Sequence, residues 1–197
     1  MMSTSPGDTR LTKLRSALER ITTELLNERL DEQVRAVEEL RRSFGHSITL
    51  VERANADCRY TCFQHAFELQ VIPSPIIDIC EIYGRVYPSS HFVEFLLESR
   101  LQQVASADAR DGDVVIWSDN DVVRHAGRFV EGRIVSKWGT GHFWRHDLFE
   151  VPSAYGDTVI FCRPLTSADS LDAFVAFARR EVGDDAVNEI VGWPEWR

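Results

Sequence analysis

Cysteine and histidine are the reactive stock of this chain, with four cysteines at 58, 62, 80 and 162 and six histidines. Cys58 and Cys62 stand in the segment ADCRYTCFQHAFEL, at the beginning of a helix that Asp57 or Thr61 is expected to open and that should run to about Leu69. A helix start carries unpaired N–H groups and about half a positive charge. That field favours thiolate over thiol, and the same N–H groups can receive a developing oxyanion. The competing expectation is a pair of helix cysteines, four residues apart, that face a core. Cys80 (in IIDICEIY) and Cys162 (in VIFCRP) read as small buried hydrophobes.

A nucleophilic thiol needs a base, commonly histidine. His125 lies in an expected strand, VVRHAGRFV, and is followed by Ala126 and Gly127, whose small size lets a backbone or a substrate approach. The competing expectation is a surface strand histidine. His142 and His146 fall in a glycine- and aromatic-rich stretch, GTGHFWRH, where packing or binding roles are expected. His65 should cover the helix surface, and His46 and His91 read as loop and cap residues.

The elements that must position these groups follow from hydropathy spacing. Leu11, Leu14, Leu18, Ile21 and Leu25 form one helical stripe, and Leu30, Val34 and Val37 a second, so one bent helix or two helices should end near Phe44-Gly45. This arm either packs on its own domain or holds a protein partner or a second copy through residues 11–44. Ser47–Glu52 is a short strand, and helices follow over Ile76–Tyr83 and from His91 to about Val104. Asp113–Trp117, Val122–Val130, Arg133–Trp138 and Thr158–Arg163 are strands, with Glu131-Gly132 as a hairpin turn, and Leu171–Glu181 is a last helix. Helices first and antiparallel strands second predict an α+β fold, with residues 1–45 as a helical arm and 46–197 as the main domain.

Composition narrows the partners. Lys plus Arg is 22 and Asp plus Glu is 31, a net charge of −9, which argues against a nucleic-acid or anionic-membrane partner. No apolar run reaches the roughly 18 residues of a membrane span. The start, MMSTSPGDTR, has no apolar segment of the secretory kind, so a cytoplasmic chain with reduced thiols is expected, export by a signal-independent machine remaining open. No paired CxxC motifs occur, so no metal or other cofactor is expected. A zinc site on Cys58, Cys62 and a histidine is the weakest reading, because it has no second ligand pair.

The order of these features resembles the NlpC-type branch of the papain-like cysteine peptidases and amidases. A cysteine opens a helix, Gly112-Asp113 starts a strand, His125-Ala126-Gly127 lies on the next, and the strand Arg133–Trp138 follows. The match spans about 57 to 163. The resemblance implies a papain-like α+β fold with N-terminal helices and a small antiparallel sheet of about four to five strands. It also implies a Cys-His acyl transfer on a peptide or other amide substrate. Asp57-Cys58 mimics the family's Asp-Cys pair, but Arg59-Tyr60 replaces the usual Ser-Gly. Tyr60-Thr61-Cys62 is closer to divergent members, so Cys62 is the expected nucleophile, with Cys58 as the alternative and Tyr60 as an oxyanion donor.

The third residue departs from the family pattern. Counting along the hairpin puts Ser136 opposite His125, a weak orienter with Lys137 beside it; His146 or a main-chain carbonyl are substitutes. Ser136-Lys137-Trp138-Gly139 and Pro152–Tyr155 resemble structural turns. Trp138, Phe143 and Trp144 are candidate walls of a substrate cleft, with core packing as the competing role. Expected activity is therefore thiol-dependent hydrolysis or acyl transfer. The alternative, favoured by the weak third residue and the missing Ser-Gly, is an inert papain-like fold that serves as a protein-binding module.

Overall fold

The computed structural model describes residues 8–25, 29–54, 60–70, 75–84 and 86–192. Helix α1 (Thr9–Glu24) begins where the Asp8 carboxylate accepts the Arg10 N–H at 2.8 Å, and it buries Leu11, Leu14 and Leu18 along one stripe. Helix α2 (Leu30–Phe44) carries Asp31 and Glu32 in its first turn and Arg41 and Arg42 in its last, both favourable to its dipole. It stops at Gly45, whose φ of 58° is a left-handed conformation that glycine adopts without strain. The two helices pack together on Ile48, Trp138 and Trp144.

The order then runs β1 (Thr49–Glu52), α3 (Cys62–Ala66), α4 (Pro75–Tyr83), α5 (Ser90–Ser99), β2 (Gln103–Val104), β3 (Val114–Asp119), β4 (Val122–Val130), β5 (Arg133–Lys137), β6 (Phe143–His146), β7 (Thr158–Cys162), α6 (Ser167–Val182) and α7 (Asp184–Val191). The fold is α+β, and among the described residues one antiparallel sheet of seven strands takes the order β1-β6-β5-β4-β3-β7-β2. That exceeds the four to five strands expected. The stretch expected to be a glycine- and aromatic-rich loop supplies β6, which is sandwiched between β5 and β1, and the end of the expected helix after His91 becomes β2 on the far edge. No helix of the described residues is long and apolar enough to cross a membrane.

Both faces of the sheet are covered, so the central strand β3 is buried on both sides. Val114 and Ile116 meet Ala126, Ala66, Phe92, Phe174 and Phe177 on one face, beneath α3, α5 and α6. Val115 and Trp117 meet Ile134, Val151 and Phe161 on the other, where α1 and α2 also lie. Strand alternation thus produces two separate cores from one set of strands.

A β-bulge decides how β4 faces these cores. Trp117 pairs with His125 but Ser118 pairs with Val123, so Arg124 is an extra, exposed residue. Residues two apart in a regular strand share a face. With the bulge, Val123 packs in the core under α5 and α6, while His125 turns to the α1 side against Trp117.

Candidate active site

Helix α3 is only five residues long, so its position depends on its ends. Thr61 caps it: the Gln64 N–H donates to Thr61 Oγ1 at 3.3 Å, and the Thr61 N–H donates to Gln64 Oε1 at 2.9 Å. This reciprocal pair satisfies two N–H groups and fixes Cys62 as the first helical residue. The helix ends at Ala66 rather than near Leu69, because Glu68 takes a left-handed φ of 56°. The Glu68 carboxylate accepts from Ser167 Oγ at 2.7 Å and pairs with Arg128 at 3.2 Å, and Arg128 also donates to the Ala66 carbonyl at 3.0 Å. Strand β4 therefore anchors the far end of α3.

The Cys62 sulfur sits where β5 leaves β4. The two-residue Glu131-Gly132 turn makes Val130 and Arg133 a hydrogen-bonded pair, and alternate pairs repeat that pattern. The ladder runs to Arg128 and Val135 and stops there. Ala126, next in the bonding set, directs its N–H to the Cys62 sulfur instead. Burial pushes the thiol up to about 11, opposed by the N–H groups of Ala126, Phe63 and Cys62 itself and by the Lys137 charge. Burial thus outweighs the helix-start field that favoured a thiolate. Cys62 is 7% exposed.

His125 is fully buried, and neither ring nitrogen has a hydrogen-bond partner. Its ring stacks on Tyr155 with centroids 3.9 Å apart and planes 14° apart, and lies 5.2 Å from Trp117. Burial, with His146 and His65 nearby, holds its pKa well below the ordinary imidazole range. His125 and Ala126 are successive strand residues and face opposite ways, so no hydrogen bond joins the imidazole to the Cys62 sulfur. The Tyr155 ring covers His125, and its phenol is raised by burial and then by the neighbouring Cys62 and Glu19, against the Gly139 N–H that its oxygen accepts.

Ser136 is not opposite His125. Continuing the hairpin register puts it beside Gly127, where a side-chain carbon would come within 2.8 Å of the Ser136 Cβ. Ser136 serves His146 instead. His146 Nδ1 lies 2.9 Å from the Asp147 carbonyl, which can only accept, so Nδ1 carries the proton. Nε2 then accepts from Ser136 Oγ at 2.8 Å. Burial lowers His146 to about 4. His125, Ser136 and His146 thus lie on the α1 side of the sheet, on the far side of β4 from α3.

On the α3 side, the Lys137 ammonium is buried. It donates to the Gly141 carbonyl at 2.7 Å and lies 4.5 Å from the Tyr60 ring centre and 5.0 Å from that of Phe143. Tyr60 thus turns its ring toward Lys137 and Phe143. His65 meets Phe143 edge-on at 4.5 Å, has no partner on either nitrogen, and is lowered to about 4, mainly by burial. Trp138 and Trp144 are core residues under α1 and α2 rather than cleft walls, with ring centres 5.2 Å apart; Phe143 alone of the expected three borders α3. An open groove of about 620 Å³ lies elsewhere, lined by residues including His65, Glu68, Arg128 and Val135.

Cys58 and Asp57 lie outside the described residues. Cys80 and Cys162 pack in or against the core under α5 and α6, each raised to about 11 chiefly by burial. Among the described residues no group of three or more His, Cys, Asp and Glu side chains is placed to hold a metal ion. The residues missed from sequence are Tyr155, read as part of a structural turn, and the bulge residue Arg124. The usable signal for Tyr155 was the following Gly156, an aromatic-glycine pair in a turn between two strands. No family model, curated protein or solved structure matches this chain.

Proposed function

We propose that the chain is a thiol-dependent hydrolase or acyltransferase of amide or peptide bonds, of papain-like NlpC type, in which Cys62 attacks the carbonyl and His125 is the base. The observation that carries this reading is His125 itself. A neutral imidazole offers one donor and one acceptor, and leaving both unmade in a dry interior costs about 1–3 kcal/mol each. A core position with no other demand would carry an apolar ring. The unpaired imidazole lies against Tyr155, whose hydroxyl is the electrostatic neighbour of the Cys62 thiol.

The resting pair is neutral. With the thiol near 11 and the imidazole below 6.5, moving the proton from sulfur to nitrogen costs at least on the order of 6 kcal/mol. In this mechanism the proton moves as the S–C bond forms, not before. At rest His125 faces away from the thiol across β4, so in this mechanism the site rearranges before neutral His125 takes the proton and passes it to the leaving amine, giving an acyl-thioester on Cys62. Water then splits that thioester to a carboxylic acid, or an amine takes the acyl group, and Cys62 regains its proton. The N–H groups around the sulfur are the donors available to an oxyanion.

A second reading, the inert binding module, is favoured by the raised Cys62 thiol and by the missing hydrogen bond between thiol and imidazole. The two separate on acylation by an activated ester, followed by intact mass and peptide mapping. The enzyme reading predicts one acyl group on Cys62, absent in Cys62→Ala and retained in Cys58→Ala. The module reading predicts slow modification spread over all thiols. Loss in Cys58→Ala with retention in Cys62→Ala would move the nucleophile to Cys58.

A further inference from the structure

We propose that Tyr155 is an autoinhibitory cover over His125 and that helix α1 regulates the thiol site by latching the cover shut. This rests on the Cys62–His125 reading and adds its regulation.

The cover is a full ring stack. At 3.9 Å and 14° one face of the imidazole is occluded by the phenol, and Trp117 lies against it from the neighbouring strand. With both nitrogens unpaired and the residue fully buried, neither water nor substrate reaches His125 in this arrangement. Tyr155 ends a single 3-10 turn, Ser153–Tyr155, a short element that does not hold itself in place.

Two side chains one helical turn apart on α1 hold that turn from both sides. Glu19 accepts the Ala154 N–H at 2.9 Å, before the tyrosine. Arg15 donates to the Gly156 carbonyl at 2.7 Å and forms an ion pair with Asp157, after it. Arg15 is itself buried, so its charge is committed to this contact. Gly156 lies so close to β3 that a side-chain carbon there would collide with the Ser118 carbonyl. The turn is thus wedged between β3 and α1, and α1 is the half that moves in this proposal, seated by Leu11, Leu14 and Leu18. Displacing α1 frees residues 154 to 157, lifts Tyr155 from His125 and admits water to the imidazole.

The test uses the full chain carrying labelled histidine, with iodoacetamide as the thiol probe. Arg15→Gln and Glu19→Gln loosen the latch, Tyr155→Leu removes the stacked ring, and Tyr155→Phe keeps it. Loosening predicts that His125 titrates at least about one unit higher by imidazole NMR, and that Cys62 alkylation at pH 7 rises about tenfold, the effect of a one-unit fall in thiol pKa. Tyr155→Phe should keep the wild-type His125 titration. Where Tyr155→Leu does not fold, the two latch variants decide. Unchanged His125 titration and alkylation in folded latch variants would overturn the cover, whatever the wild-type acylation shows. Faster alkylation that a further His125→Gln change does not alter would uphold the cover and remove the thiol–imidazole pairing.

Discussion

Replacing His125 by phenylalanine should make the protein more stable while removing its chemistry. Two buried ring nitrogens have no partner in the wild type, and each such orphan costs about 1–3 kcal/mol. Phenylalanine keeps the face for Tyr155 and the contact with Trp117, and removes both polar atoms. Its slightly larger ring takes back part of the gain in so tight a site, since overpacking costs about 1–3 kcal/mol. The net expectation is a gain of about 1–3 kcal/mol. For a 197-residue chain that is a rise in Tm of roughly 2–12 °C. Urea unfolding by circular dichroism measures it, with an unchanged m-value as the check that only stability has moved. Acylation of Cys62 should be lost in the same variant. A fall in Tm would refute the reasoning, because it would mean that the imidazole nitrogens are satisfied.

Three further outcomes follow from neighbouring geometry. Gly127→Ala places a carbon 2.8 Å from the Ser136 Cβ and 3.0 Å from the Val135 carbonyl, so it should destabilise by about 1–3 kcal/mol, read as a lower urea midpoint. Ser136→Ala leaves the buried Nε2 of His146 without its donor and should also cost about 1–3 kcal/mol in the same assay. Acid should unfold the protein through its buried imidazoles. His65 and His146 are each lowered to about 4, so they stay neutral in the fold while an unfolded histidine gains its proton near 6.5. Their stabilisation is complete above pH 6.5 and falls as pH drops toward 4, by on the order of 3 kcal/mol for each group, and a urea-midpoint profile in which His146→Gln is flatter over that window checks the assignment.

Where local chemistry decided the structure, the sequence was readable. Thr61 does cap α3, the Glu131-Gly132 turn does close β4 on β5 with φ of 51° and 77°, and Gly45 does end α2. Where pairing between distant segments decided it, the sequence was not. Phe143–His146 looked like loop because nothing local marks it as a strand; it becomes one by fitting between β5 and β1. The site suffered most from a single residue. The bulge at Arg124 turns His125 away from the face of Val123, and a two-position error in the hairpin register put Ser136 opposite the wrong residue. A period-2 reading of an unbroken strand puts Val123 and His125 on one face, whereas the inserted residue shifts the phase by one and puts Val123 with Ala126. Tyr155 was hidden for a different reason. Its role comes from α1, far away in sequence, which holds its turn through Arg15 and Glu19.

Cys62 and His125 must work as one site although at rest they face opposite sides of β4 and no hydrogen bond joins them. The most direct measurement is the single-turnover rate at which an activated ester acylates Cys62 at pH 8, compared between the latch-loosened Arg15→Gln variant and Arg15→Gln/His125→Gln with folding verified in both. A base that takes the proton during attack is worth about 10²–10⁴-fold, so the double variant should be at least about a hundredfold slower. Equal rates would contradict the account and leave Cys62 a buried thiol like Cys80 and Cys162.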